Sequence, residues 1–141
     1  HVATLRQARG GFEPDPILAC KICESAGCDS IVAHLREDRR HIKEFDVIAL
    51  RRVVTTRLNL EMSTQPDIVS FACVVRPDEA TLVPERRLEL TTEGGLDVKG
   101  AFSRIKKAVE SLKERGIVVS LFVDPLKSQI DCSKKTGADF I

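Results

Sequence analysis

The chain has 141 residues, of which 43% are hydrophobic and 30% are charged, and its formal net charge is +1. This composition predicts one soluble globular domain over residues 1–141, and the near-zero charge with no Tyr or Trp argues against a nucleic-acid or membrane partner. No apolar stretch approaches the roughly 20 residues of a membrane span, and the first residues are too polar for a signal peptide, so we expect a cytoplasmic protein.

Short runs of β-branched residues alternate with longer amphipathic stretches, a pattern that predicts repeated β-α units around a parallel sheet. In chain order we expect a helix, then a strand, in strict alternation at residues 16–26, 30–34, 45–54, 57–62, 66–75, 80–83, 97–115, 117–123 and 126–135. At the two ends of the chain we expect incomplete strands: residues 1–4 form a partial strand and residues 138–141 the first half of another.

Four full strands with a partial strand at each end are too few for a closed β/α barrel, which typically needs about 250 residues. An open doubly wound sheet fits the length better, but no Gly-x-Gly-x-x-Gly turn follows the first strand. We therefore expect an α/β fold of the TIM (β/α)8 barrel type, present as an incomplete barrel from about the first strand to the start of the sixth. The chain is expected to be truncated at both ends.

Three of the five cysteines, Cys20, Cys23 and Cys28, lie close to metal-ligand spacing. A C-x2-C pair without a second matching pair is weak evidence for zinc. Cys20 and Cys23 are expected on the apolar side of the first helix, where a free cysteine behaves as a small hydrophobic residue. We therefore expect free cysteines and no metal site.

Polar residues follow each predicted strand, at positions His34, Glu61, Glu85 and Asp124. His1 would occupy the same place on a truncated first strand. Because the carboxyl ends of parallel strands meet at one edge, His34 and Glu61 are expected to face one mouth, as general acid-base chemistry requires. For Glu85 or Asp124 alone, a strand that simply ends in a polar residue is the simpler interpretation.

The segment HLREDRRHI, residues 34–42, concentrates ionisable side chains directly after a strand. Arg36 offers a fixed set of donors that suits phosphate or carboxylate. Residues 37–40 are interpreted as a solvated charge run in which Arg39 and Arg40 pair with Glu37 and Asp38. His41 is either a ligand-binding group or an ordinary loop histidine.

Two further segments contain groups that could contact an anion. LTTEGGLDV, residues 90–98, could present backbone N–H groups at a helix N-terminus, or could be a mobile turn capped by Asp97. ATLRQARGG, residues 3–11, places Arg9 before two glycines. Arg9 could meet an anion at the barrel mouth or be a surface arginine.

Seven motifs occur in the order and with the spacing of one enzyme family: HVATLRQARG, PDP, HLREDRRHI, LNLEM, LVPERR, TTEGGLDV and VSLFVD. The chain thereby resembles the pyridoxine 5′-phosphate synthase family over residues 1–141. The resemblance implies condensation of 1-deoxy-D-xylulose 5-phosphate with 3-amino-2-oxopropyl phosphate to pyridoxine 5′-phosphate, phosphate and water. It also implies a homo-oligomer, commonly an octamer, with no metal and no organic cofactor.

The same resemblance assigns roles to individual residues. It implies that His34 and Glu61 are the acid-base groups, and it leaves Glu85 and Asp124 without a catalytic role. The substrate-binding positions that it implies are His1, Arg9, Arg36, His41 and Thr91. The family's Asn-x-Asp before His1 and its last strands, which carry another acid, a histidine and phosphate contacts, are absent. The alternative to an enzyme fragment is a phosphate-binding module without catalysis.

Overall fold

The structure is a computed structural model that describes residues 2–85 and 94–141. Within these residues, helices and parallel strands follow one another after an initial pair of helices. The helices are α1 (Val2–Arg9), α2 (Pro16–Ser25), α3 (Glu44–Val53), α4 (Pro66–Val75), α5 (Phe102–Lys113) and α6 (Lys127–Thr136). The strands are β1 (Ile31–Leu35), β2 (Leu58–Met62), β3 (Glu79–Leu82) and β4 (Val118–Leu121).

The four strands form one parallel sheet in the order β1-β2-β3-β4. A doubly wound sheet reverses its strand order at a switch point, whereas a β/α barrel adds each new strand beside the previous one. The sequential order over the described strands is therefore that of a segment of a β/α barrel, as the sequence predicts.

Alternation of side chains along each strand separates an apolar face from a polar face. The apolar face packs against the helices in one continuous core with Val47, Ile68, Ile105 and Leu112. Each fully buried leucine contributes roughly 1.5–3 kcal/mol, so this face holds the sheet and helices together. Its strand residues are Leu35, Leu60, Met62, Ala80, Leu82, Val119 and Leu121.

The N-terminal partial strand expected over residues 1–4 is wrong, because Val2–Arg9 forms helix α1. Most residues of this segment are good helix formers, and Gly10, with a φ of 66°, follows the last turn as helix-ending glycines commonly do. The start of a further strand predicted over residues 138–141 is confirmed, since Phe140 forms a parallel bridge to Ser120 of β4.

The predicted helix over residues 97–115 begins later than expected, at Phe102. The Asp97 carboxylate accepts hydrogen bonds from Gly100 N at 3.0 Å and from Gln129 Nε2 at 2.8 Å. A side chain that satisfies nearby backbone N–H groups stabilises turns in place of helix, so residues 98–101 form turns before α5.

In residues 2–85 and 94–141, no helix combines the length and the apolar character needed to cross a bilayer.

Candidate active site

The polar face of the sheet places one row of side chains across all four strands near their carboxyl ends. In the ladder register His34 pairs with Glu61, Glu61 with Thr81, and Thr81 with Ser120. All four lie on the face opposite the helix-covered core, because they alternate with its buried residues. The structure thus brings together His34 and Glu61, the two residues proposed from their strand-end positions.

The imidazole of His34 lies between two carboxylates. Its Nδ1 is 3.9 Å from Glu61 Oε2, and its Nε2 is 3.2 Å from Glu85 Oε1. The His34 side chain is 11% exposed, that of Glu61 36% and that of Glu85 4%. Glu61 is therefore the carboxylate that a ligand could reach, while Glu85 supports the imidazole from the protein side.

A cavity of about 470 Å³ extends from α1 and α2 along β1 to His34 and Glu61. Its walls are largely apolar side chains together with Cys20, Cys23 and Cys28. The consecutive residues 30–34 belong to both faces of β1, so the cavity follows the edge of this strand that lies away from β2. His34 and Glu61 border it from the polar face of the sheet.

Arg36 contributes a buried positive charge beside this pair. Its Nε lies 3.5 Å from Asp38 Oδ1, and a cavity of about 250 Å³ is lined by Arg36, Glu37, Asp38 and Glu85. Burial raises the pKa of Asp38, but hydrogen bonds from Arg40 and the charge of Arg36 outweigh it and lower the pKa overall. Asp38 is thus ionised at neutral pH and helps to hold the two arginines in place.

The charged residues 37–40 pair only partly with one another. Arg40 Nε donates to Asp38 Oδ2 at 2.7 Å, as expected. Arg39 instead donates to Glu44 Oε1 and Asp67 Oδ2, both at 2.8 Å, with a left-handed φ of 51°. Its predicted side-chain pairing with Glu37 or Asp38 is therefore wrong, because the turned backbone directs Arg39 towards the first turns of α3 and α4.

Of the four remaining predicted site residues, the structure describes Arg9 and His41. Arg9 is exposed in the last turn of α1, and its contact with an anion stays a prediction. His41 is half-buried in the loop before α3. His1 and Thr91 lie outside the described residues.

The electrostatic surroundings of His41 favour its neutral form. Burial lowers the pKa of His41, and the nearby positive charges of Arg40 and Arg36 lower it further. At neutral pH the imidazole is therefore uncharged, so it can accept or donate one hydrogen bond to a bound ligand without adding a positive charge.

The lowered pKa of His41 predicts a loss of stability in mild acid. The unfolded chain has an ordinary histidine pKa of about 6.5, so below that pH it binds a proton more readily than the folded chain does. The free energy of unfolding is expected to fall from about pH 6.5 downwards, and less steeply in His41→Gln. Urea denaturation of both proteins between pH 5 and 7.5 measures this difference; identical slopes would contradict it.

The loop before α5 is fastened to the end of β4. Gly95 N donates to Asp124 Oδ1 at 2.9 Å, and Leu96 N donates to Phe122 O at 2.7 Å. A Cβ on Gly95 would lie 2.6 Å from Val123 Cα and would overlap Asp124 N. Asp124, which the sequence left without a role, therefore positions this loop, and only glycine fits opposite it.

This close approach makes Gly95→Ala costly. Because the added methyl group meets backbone, the loop must move, and we expect a loss of about 2 kcal/mol in the free energy of unfolding. Gly11→Ala is the matched control, since a Cβ there has nothing within 4 Å. Urea denaturation should show a change within about 0.5 kcal/mol for the control. Equal effects in the two variants would refute the contact.

The cysteines behave differently from one another. All five are free; Cys20 is buried, Cys28 half-buried and Cys23 exposed. The expectation that Cys23 is buried with Cys20 is therefore wrong, because Cys23 lines the open cavity beside β1 and stays exposed there. Among residues 2–85 and 94–141, no three His, Cys, Asp or Glu side chains are grouped as metal ligands.

Parallel strands added in sequence, with a histidine and a carboxylate at their carboxyl ends, define a protein of the β/α-barrel class with these two side chains at its mouth. The fold matches a solved D-psicose 3-epimerase from Clostridium cellulolyticum H10 with a TM-score of 0.56 at 10% identity, over 91% of this chain and 56% of that one.

The sequence places the chain more closely within this class. The family model described as pyridoxal phosphate biosynthesis protein PdxJ matches residues 1–141, and the chain belongs to that family. Proteins named pyridoxine 5′-phosphate synthase are 60% identical in Trichlorobacter lovleyi, 58% in Geotalea uraniireducens and 57% in Geobacter sulfurreducens, each over all 141 residues. The chain spans 59% of the length of these relatives.

Proposed function

We propose that the full-length protein containing this chain is a pyridoxine 5′-phosphate synthase. It would condense 1-deoxy-D-xylulose 5-phosphate with 3-amino-2-oxopropyl phosphate and release pyridoxine 5′-phosphate, phosphate and water. The observation that carries the proposal is the His34–Glu61 pair at adjacent strand ends, in a chain whose relatives bear this enzyme's name. The reaction is a ring-closing condensation of the transferase type.

The chemistry fits what the residues can do. Imine formation, loss of phosphate and ring closure each require a proton to move, which a positioned imidazole and carboxylate can provide. His34 would accept a proton, and the half-exposed Glu61 would act as the second acid-base group. The amine and ketone are supplied by the substrates, so the proposal needs neither a metal nor an organic cofactor.

Binding of the phosphorylated substrates falls to the loop after β1 and its neighbours. The buried Arg36 supplies positive charge within reach of the mouth, and His41 offers a neutral donor in the same loop. Arg9, His1 and Thr91 are proposed as further substrate contacts on the family resemblance alone. Together they would hold two anionic substrates side by side, which lowers the entropic barrier to condensation.

We further propose that the protein is cytoplasmic and assembles as a homo-oligomer, an octamer in the family. Large apolar side chains on the described surface support association, among them Phe12, Ile22, Phe45 and Val74. Sedimentation of the full-length protein would test this proposal, since a monomer at micromolar concentration would contradict it.

The function is tested by incubating both substrates with the full-length protein and detecting pyridoxine 5′-phosphate by mass spectrometry. Product formation would support the synthase. A folded full-length protein without product would instead favour the phosphate-binding module. Calorimetry with 1-deoxy-D-xylulose 5-phosphate would then test that second candidate, for which the Arg36 cavity is the specific observation. No heat at millimolar ligand would refute it.

Replacing Arg36 separates binding from chemistry. A charge-assisted hydrogen bond is worth about 1.5–3 kcal/mol, so Arg36→Met is expected to raise KM for a phosphorylated substrate by about 10- to 100-fold. The exposed Arg52 of α3 provides a matched control, and Arg52→Met should leave KM unchanged. Initial rates over a range of each substrate give both values. A normal KM in Arg36→Met would remove Arg36 from the proposed phosphate site.

A further inference from the structure

The carboxylate of Glu85 is buried at the end of β3 and connects two parts of the site. Its Oε1 is 3.2 Å from His34 Nε2, and its Oε2 accepts a hydrogen bond from Glu37 N at 2.8 Å. With 4% of its side chain exposed, Glu85 is shielded from solvent. Neither the strand-end pattern nor the family resemblance gives it a role in the reaction.

A carboxylate beside an imidazole nitrogen constrains which nitrogen carries the proton. Neutral imidazole donates through one nitrogen and accepts through the other, while a carboxylate only accepts. The 3.2 Å contact is therefore favourable when His34 Nε2 carries the hydrogen. His34 Nδ1 then keeps its lone pair on the side of Glu61, whose Oε2 lies 3.9 Å away and whose side chain is 36% exposed.

We propose that Glu85 is a positioning residue that holds His34 in the Nε2–H tautomer, so that Nδ1 is the atom that accepts the proton. This inference rests on the proposed function for its catalytic consequence. Glu85 acts through His34 and not on the substrate, in the way that a buried carboxylate orients the histidine of a hydrolytic triad.

The second hydrogen bond of Glu85 adds a constraint on the loop that contains Arg36. Glu37 N donates to Oε2 while Oε1 contacts the His34 imidazole. One carboxylate therefore restrains both the imidazole and the backbone next to Arg36. Glutamine at this position has one acceptor oxygen in place of two. If that oxygen stays on Glu37 N, the amide NH₂ faces His34 Nε2 and favours the opposite tautomer.

Glu85→Gln in the full-length protein tests the inference. We expect kcat to fall by about 100-fold or more, as when a triad carboxylate becomes an amide, with a smaller change in KM. Nitrogen-15 NMR of labelled histidine should show His34 as Nε2–H in the parent protein and shifted towards Nδ1–H in the variant, with the His34→Gln spectrum providing the assignment. Glu110→Gln, an exposed change on α5, is the matched control and should alter neither kcat nor the tautomer.

The outcomes separate the two proposals. An Nδ1–H tautomer in the parent protein would overturn the role of Glu85 whether or not the variant folds. Normal kcat and an unchanged tautomer in Glu85→Gln would overturn it as well. If the parent protein has the Nε2–H tautomer but makes no pyridoxine 5′-phosphate, the proposed function fails while the positioning of His34 by Glu85 stands.

Discussion

Replacing His34 with glutamine is expected to lower kcat/KM for pyridoxine 5′-phosphate formation by about 10²- to 10⁴-fold, the usual contribution of a positioned general acid-base group. Glutamine keeps a polar side chain of similar length and can still hydrogen-bond to Glu85. It has no group that accepts and returns a proton near neutral pH. The loss should therefore fall on kcat.

The measurement is the initial rate of product formation by the full-length protein, with substrate concentrations varied. His41→Gln is a useful comparison because it makes the same change in the loop that follows β1, on a residue proposed for binding. It should raise KM more than it lowers kcat. Turnover close to that of the parent protein in His34→Gln would eliminate His34 as the proton acceptor.

Asp46→Ala is expected to cost about 3–5 kcal/mol of folding free energy, the range for breaking a buried ion pair from one side. The Asp46 carboxylate is 4% exposed and accepts from Arg6 Nη1 at 2.8 Å and Nη2 at 2.7 Å. It also accepts from Lys43 N at 2.9 Å in the first turn of α3. Alanine leaves the Arg6 guanidinium, whose pKa is raised by its hydrogen bond to Asp46, charged and without that partner.

Urea denaturation of Asp46→Ala and Asp67→Ala gives the comparison. Asp67 also pairs with an arginine, at 2.8 Å from Arg39 Nη2, but its side chain is 63% exposed. Exposed ion pairs contribute about 0–1 kcal/mol, so the control should change little. Equal losses in the two variants would show that the Arg6–Asp46 contact stabilises α1 no more than a surface pair does.

The sequence predicts the parts of the fold that depend on local patterns. Alternating apolar runs indicated the strands and helices, and the rule that parallel strands share one carboxyl edge brought His34 and Glu61 together. The first helix was missed because residues 1–4 were predicted to be the remainder of a truncated strand, although most residues of VATLRQAR are good helix formers. Its helical state is supported by the contact of Arg6 with Asp46.

The supporting residues of the site could not be predicted in the same way. Glu85 and Asp124 look alike in sequence, as single acids after a strand. Both accept from a backbone N–H, yet Glu85 also contacts the His34 imidazole. Which partner each one finds depends on how loops from distant parts of the chain pass over the strand ends. Arg39 illustrates the same limit, because its partners Glu44 and Asp67 were set by one left-handed backbone residue.

The alternating faces of β1 have a consequence for insertions and deletions. In this strand Ala33 and Leu35 face the core while His34 faces the mouth. One residue inserted between Ile31 and Ala33 would reverse this order and turn the imidazole under the helices, with a leucine facing the mouth. The turn at residues 26–30 could absorb the same insertion without reversing the strand. Insertions and deletions of one residue are therefore expected to be tolerated in the loops that precede strands and not within the strands.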